Sequence, residues 1–124
     1  GSRFLVMGNN VKSSKAKGRR LQNFVRDQLR DLFTSLEPDD IKSQTMGMTG
    51  EDIVLSPAAR KKIPYSFECK NVERFNVWDS IGQCEGNCSD QTPVVIFKRN
   101  RSKTYAIINF DHFMELISER KTTE

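Results

Sequence analysis

The sequence predicts an α/β domain in which one central mixed β-sheet is flanked by helices, in the order α-β-β-α-β-β-α. Three observations predict it. Apolar residues recur at helical spacing in the first third of the chain, β-branched and alternating stretches follow, and helical and extended segments then take turns to the end. At 124 residues a single core is feasible and a second domain of useful size is not.

Each element has its own signal. Leu21, Phe24, Val25, Leu29, Leu32, Phe33 and Leu36 fall on one side of a helix, which the spacing places from about Lys17 to Leu36. Pro38 with Asp39 and Asp40 ends it, and Ser43 to Gly50 reads as a loop. Glu51 to Leu55 is short and β-branched. Ser56-Pro57 then supplies an N-cap and a proline suited to the first helical position, enough for a single turn through Ala58 and Ala59. Tyr65 to Lys70 alternates, with Phe67 and Cys69 on one face and Ser66, Glu68 and Lys70 on the other. Asn76 caps a second helix with Val77, Trp78, Ile81, Cys84 and Cys88 on one stripe. Strands at Pro93 to Lys98 and Thr104 to Phe110 form a hairpin with a basic tip, and Asp111 caps a last helix.

Residues 1–16 read as a flexible basic arm, 17–119 as the one folded domain and 120–124 as a polar tail. Gly1-Ser2 has the look of a tag remnant. The excess of 20 Lys and Arg over 16 Asp and Glu gives a net charge of +4, a weak pointer to a polyanion until the distribution is considered. No apolar run approaches the roughly 20 residues that a bilayer requires. A cytoplasmic or nucleoid-associated protein is expected, neither secreted nor in contact with a membrane.

Asp52 and Glu68 are the chemically informative pair. If their strands form an antiparallel hairpin, positions summing to 120 lie opposite each other, which sets Asp52 beside Glu68 with Lys70 on the same face. Carboxylates so close repel unless one is protonated or a cation bridges them. A hard divalent ion such as Mg²⁺ suits two carboxylates and the Cys69 backbone carbonyl, and leaves coordination positions open. Such an ion supports phosphodiester hydrolysis, with Lys70 handling the attacking water. The plainer alternative is a polar strand face on which both acids pair with Lys70 and Arg60.

Gly50-Glu51-Asp52-Ile53, then Glu68-Cys69-Lys70, after a helix opening at Lys17-Gly18, resembles the PD-(D/E)XK nuclease superfamily, especially its small Holliday junction resolvase-like and phage or homing endonuclease members. The resemblance spans about Lys17 to Ile117 and implies a restriction endonuclease-like core. It implies a Mg²⁺-dependent DNA endonuclease, with Mn²⁺ as a substitute, in which Asp52 and Glu68 bind metal and Lys70 serves the water. Gln22 stands where the family's first helix often carries an acid, and an amide cannot hold a second metal as a carboxylate does. Gln83 matches a polar position near the metal or the scissile phosphate. Branched DNA, as for a resolvase, and a specific site, as for a homing or restriction-like enzyme, both remain open, as does a catalytically idle nucleic-acid-binding module. Cutting both strands implies a homodimer or higher oligomer.

The basic residues fall in three clusters, Lys15, Lys17, Arg19 and Arg20; Arg60, Lys61 and Lys62; and Arg99, Arg101 and Lys103. DNA binding predicts that all three lie along one face beside the acids. Cys69, Cys84, Cys88 and His112 form an arithmetically possible zinc set, but only one short paired spacing is present, so buried thiols are expected. Trp78 and most Phe residues are expected in the core, with Tyr65 and Phe75 the aromatics placed to touch a base.

Overall fold

The computed structural model describes residues 2–45 and 48–122, with backbone alone at 2–12 and 122. The chain runs α1 (Ser2–Leu32), a 3₁₀ turn (Pro38–Asp40), β1 (Ile41–Ser43), β2 (Ile53–Leu55), α2 (Pro57–Lys62), β3 (Tyr65–Asn71), α3 (Val77–Asn87), β4 (Thr92–Lys98), β5 (Tyr105–Ile107) and α4 (Phe110–Thr122). The strands form two small sheets where one was expected, β1-β2 and a mixed sheet of order β3-β4-β5 with β4 parallel to β3 and antiparallel to β5. Helices α1 and α3 pack against it, as an α/β domain requires. No helix among the described residues is long and apolar enough to cross a membrane.

The caps show why several elements begin where they do. Ser56 Oγ accepts the Ala59 N–H at 3.1 Å, with Pro57 at the first helical position, and Asn76 Oδ1 accepts the Asp79 N–H at 3.0 Å. At α4 the cap is Asn109 in place of the expected Asp111: its Oδ1 accepts the Asp111 N–H at 2.8 Å. Phe110, expected to end a strand, is the first residue of that helix.

Other expectations are corrected. Helix α1 starts at Ser2, so the arm expected to be flexible has helical backbone from residue 2. That stretch contains no proline, and Lys15, Ala16 and Lys17 favour helix, against the cost of Gly8 and Gly18. Residues 120–122 of the expected tail are the last turn of α4, where Arg120 and Lys121 complement the helix dipole. Gly1, residues 123–124 and residues 46–47 of the loop lie outside the described residues.

The expected hairpin between the acidic strands is replaced by a different pairing. β2 pairs antiparallel with β1, Ile41 opposite Leu55 and Ser43 opposite Ile53. β1 has only three residues, too few to show a period, yet Ile41 is fully buried and Arg30 Nε donates to its carbonyl at 3.0 Å. Leu21 and Val25 of α1 join Ile41, Ile53, Leu55, Ala59, Ile63, Phe67, Cys69 and Val94 in the core.

The aromatic expectation is met by Phe67, in the core, and by Phe33, packed against it, and fails at the residues that follow. Trp78 is 80% exposed, and Phe24, Phe110 and Phe113 are also exposed. The inward face of α3 is made by Ser80 and Cys84, small residues that let the helix lie close to the sheet, with Cys84 Sγ 3.4 Å from the Ser66 carbonyl. Burial raises the Cys84 thiol pKa to about 11. Tyr65 is occupied by His112, hydroxyl to Nε2 at 2.7 Å.

Candidate active site

Backbone groups of a strand alternate between its two edges. At β3 the Pro64 carbonyl accepts from Thr92 and the Val72 N–H donates to Lys98, so even-numbered residues are bonded toward β4. The odd-numbered residues face the opposite edge, and Asp52 occupies it. Its N–H donates to the Phe67 carbonyl at 3.1 Å, and its Oδ2 accepts the Cys69 N–H at 2.6 Å. Asp52 therefore does at this edge what a neighbouring strand would do, partly with its side chain. The Cys69 carbonyl points to the same edge. Asp52 is beside Phe67 and Cys69, one position from the expected partner Glu68.

The turn into Asp52 depends on glycine. Gly50 has φ +109°, a conformation that side-chain-bearing residues rarely adopt. Asn87 of α3 donates Nδ2 to the Gly50 carbonyl at 3.4 Å, holding this turn against the sheet.

Glu68 is 7% exposed and lies on the β3 face shared with Ser66 and Lys70. Lys70 Nζ is 3.4 Å from Glu68 Oε1. Burial raises the Asp52 pKa, against the Cys69 N–H and the Lys70 charge. Burial also raises that of Glu68, and the Asp52 charge raises it further, with Lys70 opposing. The two carboxylates thus repel each other in a partly dry site, and one ammonium does not fully compensate them.

Glu51, next to Asp52, has another fate that sequence reasoning missed. Arg60 Nη2 meets its Oε1 at 2.6 Å, and Ser66 Oγ donates to its Oε2 at 2.8 Å. The signal for this pair was a cation nine residues on, across a short capped helix.

Gln22 is buried at 8% exposure, and its Oε1 has no hydrogen-bond partner among the described residues. It sits on α1, which packs on β3. Gln83 is exposed on α3, one turn before Asn87 and so on the side of the helix toward Gly50. Asn71 was not anticipated: its Nδ2 donates to the Lys17 carbonyl at 3.4 Å, tying α1 to the end of β3 just past Lys70.

Two of the three basic clusters draw together. Arg20 from α1 and Lys98 and Thr104 from the β4–β5 hairpin line a cleft of about 250 Å³ with Asn71. Lys15, Lys17 and Arg19 lie on the same stretch of α1, and Arg99, Arg101 and Lys103 on the same hairpin. The third cluster is elsewhere, at the opposite end of β3. Arg60 is bound to Glu51 and the Leu55 carbonyl, and Lys62 donates to Ser35 Oγ at 2.7 Å, leaving Lys61 exposed beside them.

Among the described residues, no three His, Cys, Asp or Glu side chains gather in a metal-holding group. Asp52 and Glu68 alone are too few side chains for a hard cation, which would need backbone oxygen and water to complete its shell.

A mixed sheet between helices, with Asp52 at one edge of the strand that carries Glu68 and Lys70, is the arrangement of a PD-(D/E)XK-type domain. A family model described as "Phage putative PDDEXK endonuclease" matches residues 13–124, and the chain belongs to that family. No curated protein and no solved structure matches the chain.

Proposed function

We propose that the protein is a divalent-metal-dependent DNA endonuclease that hydrolyses phosphodiester bonds at Asp52, Glu68 and Lys70. The observation that carries this reading is the buried acidic pair beside a single ammonium, Lys70 Nζ lying 3.4 Å from Glu68 Oε1, where burial first and the Asp52 charge second raise the Glu68 pKa. The donors fit the ion: two carboxylates and the Cys69 carbonyl are hard oxygens of the kind that Mg²⁺ or Mn²⁺ prefers. When bound, such an ion supplies Lewis-acid polarisation of a phosphoryl oxygen and makes water more acidic. Asp52 is held for this role by the Cys69 N–H, which fixes one of its oxygens.

Lys70 orients the attacking water and holds its position relative to Glu68. Gln83, on the side of α3 toward Gly50, assists at the phosphate. Gln22 offers its unpaired Oε1 as an acceptor for a water of the metal's shell. This accounts for a buried amide oxygen left without a protein partner. A neutral amide at that place favours one metal over two.

The cations of α1 and the hairpin, Lys15, Lys17, Arg19, Arg20, Arg99, Arg101 and Lys103, hold the phosphate backbone. Lys61 and Lys62 lie farther along the strand and give a weaker, outlying contact. Backbone contacts position DNA without reading its sequence, which favours a substrate chosen by shape, such as a branch. Cutting both strands calls for a homodimer, and the exposed Phe113, Met114 and Ile117 on α4 support pairing there.

The test is cleavage of a four-way junction and of random linear duplex with Mg²⁺, Mn²⁺ or EDTA. Glu68→Ala and Lys70→Ala are expected to abolish cutting while gel-shift binding survives. Normal cutting by either variant overturns the proposal. Size-exclusion chromatography with light scattering tests the dimer.

A further inference from the structure

The sheet carries an aromatic row that the catalytic reading does not use. Lys70 on β3 is in register with Phe97 on β4, and Phe97 with Tyr105 on β5. Residues in register project from the same face of a sheet, so Phe97 and Tyr105 share the face of Lys70 and Glu68. Neighbouring strands are about 4.8 Å apart, which puts Tyr105 about 10 Å from the Lys70 position. That is about three stacked nucleotide steps along one DNA strand.

The rings are arranged as a platform. Phe75, in the link from β3 to α3, stacks on Phe97 with centroids 4.6 Å apart and planes 5° apart. Tyr105 follows at 5.8 Å and 32°, and is 54% exposed. A small cavity of about 140 Å³ opens over these rings, with Lys98 and Arg99 at its margin. The hairpin that presents them is braced, since the Asn100 N–H donates to Glu73 Oε1 at 3.1 Å. Neither Phe97 nor Tyr105 belongs to the core, and core packing does not account for a half-open tyrosine beside Lys98 and Arg99, with Glu73 held by the Asn100 N–H.

Exposed aromatic faces beside Lys and Arg bind single-stranded nucleic acid, the rings taking bases and the cations the backbone. A base inside a duplex is already stacked and paired, so a ligand that needs this surface has an unpaired base. We propose that Phe75, Phe97 and Tyr105 form a stacking platform for an unpaired DNA base close to the cleavage site, so that the favoured substrate has single-stranded nucleotides at a branch or end. The position of the cut relative to that base rests on the endonuclease reading; the binding does not.

The test is fluorescence anisotropy in EDTA, where nothing is cut, with a fluorescein-labelled oligo-dT and a duplex of equal length. Tyr105→Ala is expected to weaken oligo-dT binding about 10-fold and duplex binding by less than about twofold, and Tyr105→Phe to restore it. Unchanged oligo-dT binding by Tyr105→Ala, or equal loss on both DNAs, overturns the platform. Should Tyr105→Ala fail to fold, photo-crosslinking of the wild-type protein to an iododeoxyuridine oligonucleotide decides. A crosslink at Tyr105 or Phe75 supports the proposal, and crosslinks confined to other positions overturn it. Tyr105-dependent binding by a protein that cuts nothing with Mg²⁺ or Mn²⁺ removes the endonuclease reading and leaves the platform. Normal cutting with Tyr105-independent binding does the reverse.

Discussion

Glu51 and Asp52 are neighbours in sequence, and the fold puts them to opposite uses. Glu51 is fully matched, with Arg60 on one oxygen and the Ser66 hydroxyl on the other. Asp52 and Glu68 lie together with a single ammonium between two charges, and burial makes both harder to ionise. A matched acid stabilises the fold; an undermatched pair costs stability and is retained where a ligand supplies the missing charge. On the proposed reading, the difference separates a structural carboxylate from two chemical ones better than residue type does.

The strongest way to break this comparison is to neutralise each acid in turn. Glu68→Gln is expected to reduce cleavage by roughly 10³-fold or more, in the range for losing a group that acts at the reacting centre. Its melting temperature without metal should stay the same or rise, because the repulsion with Asp52 is gone. A variant that loses activity only because it melts earlier would show that Glu68 is a structural residue. In the same assay, Ca²⁺ should raise the melting temperature of the wild type and leave Glu68→Gln unmoved.

Glu51→Ala should behave in the opposite sense. It strands Arg60 and the Ser66 hydroxyl, and a destabilisation of about 1–3 kcal/mol is expected by urea unfolding. Cleavage by the fraction that remains folded should stay within about threefold of wild type, a difference of less than 1 kcal/mol in barrier. If Glu51→Ala instead folds normally and cannot cut, the two acids have been assigned the wrong way round.

Much of this was legible in the sequence, for identifiable reasons. The Ser56-Pro57 and Asn76 caps are local chemistry and were readable as such. Alternation in Tyr65 to Lys70 gave the face of Glu68 and Lys70 correctly. The pairing of β2 was not legible, because its partner β1 is three residues held by a side chain, Arg30 at the end of α1, and shows no pattern of its own. Asp52 nonetheless reaches the acidic site, by capping a strand edge with its carboxylate, a route that no hydrophobic pattern encodes. The inward face of α3 was read in part: Cys84 is buried as its stripe implied, but small Ser80 faces inward and Trp78 does not, because a helix lying close to a sheet leaves no room for a large ring.

A pH series sharpens the comparison with a smaller effect. Both Asp52 and Glu68 have folded pKa values above their ordinary 3.8 and 4.5. In the folded state they bind protons more readily than in the unfolded chain. The stability they contribute is therefore complete below those ordinary values and is lost as pH rises through the raised ones. Asp40 acts in the other direction, since the Ser56 hydroxyl and the Glu37 N–H lower its pKa, so its contribution is lost as pH falls below 3.8. The wild-type curve mixes these effects, but its difference from Glu68→Gln isolates the acidic pair. Metal-free wild type should lose melting temperature relative to Glu68→Gln as pH rises above 4.5, and a divalent ion should close that gap.

The smallest effect belongs to Gln22, whose buried Oε1 has no hydrogen-bond partner among the described residues. Gln22→Met fills the same space without a polar atom to satisfy, and is expected to change stability by less than about 1.5 kcal/mol. Any loss of cleavage by this variant therefore reports the role of the amide at the site. Gln22→Glu is the sharper probe, because on the proposed reading it adds a third carboxylate to a pair that already repels. Without metal it should lower the melting temperature, and with Mn²⁺ it should recover more than the wild type does. Recovery no greater than wild type would mean that Gln22 is too far from Asp52 and Glu68 to share their ion, and that its unpaired oxygen is satisfied by buried water.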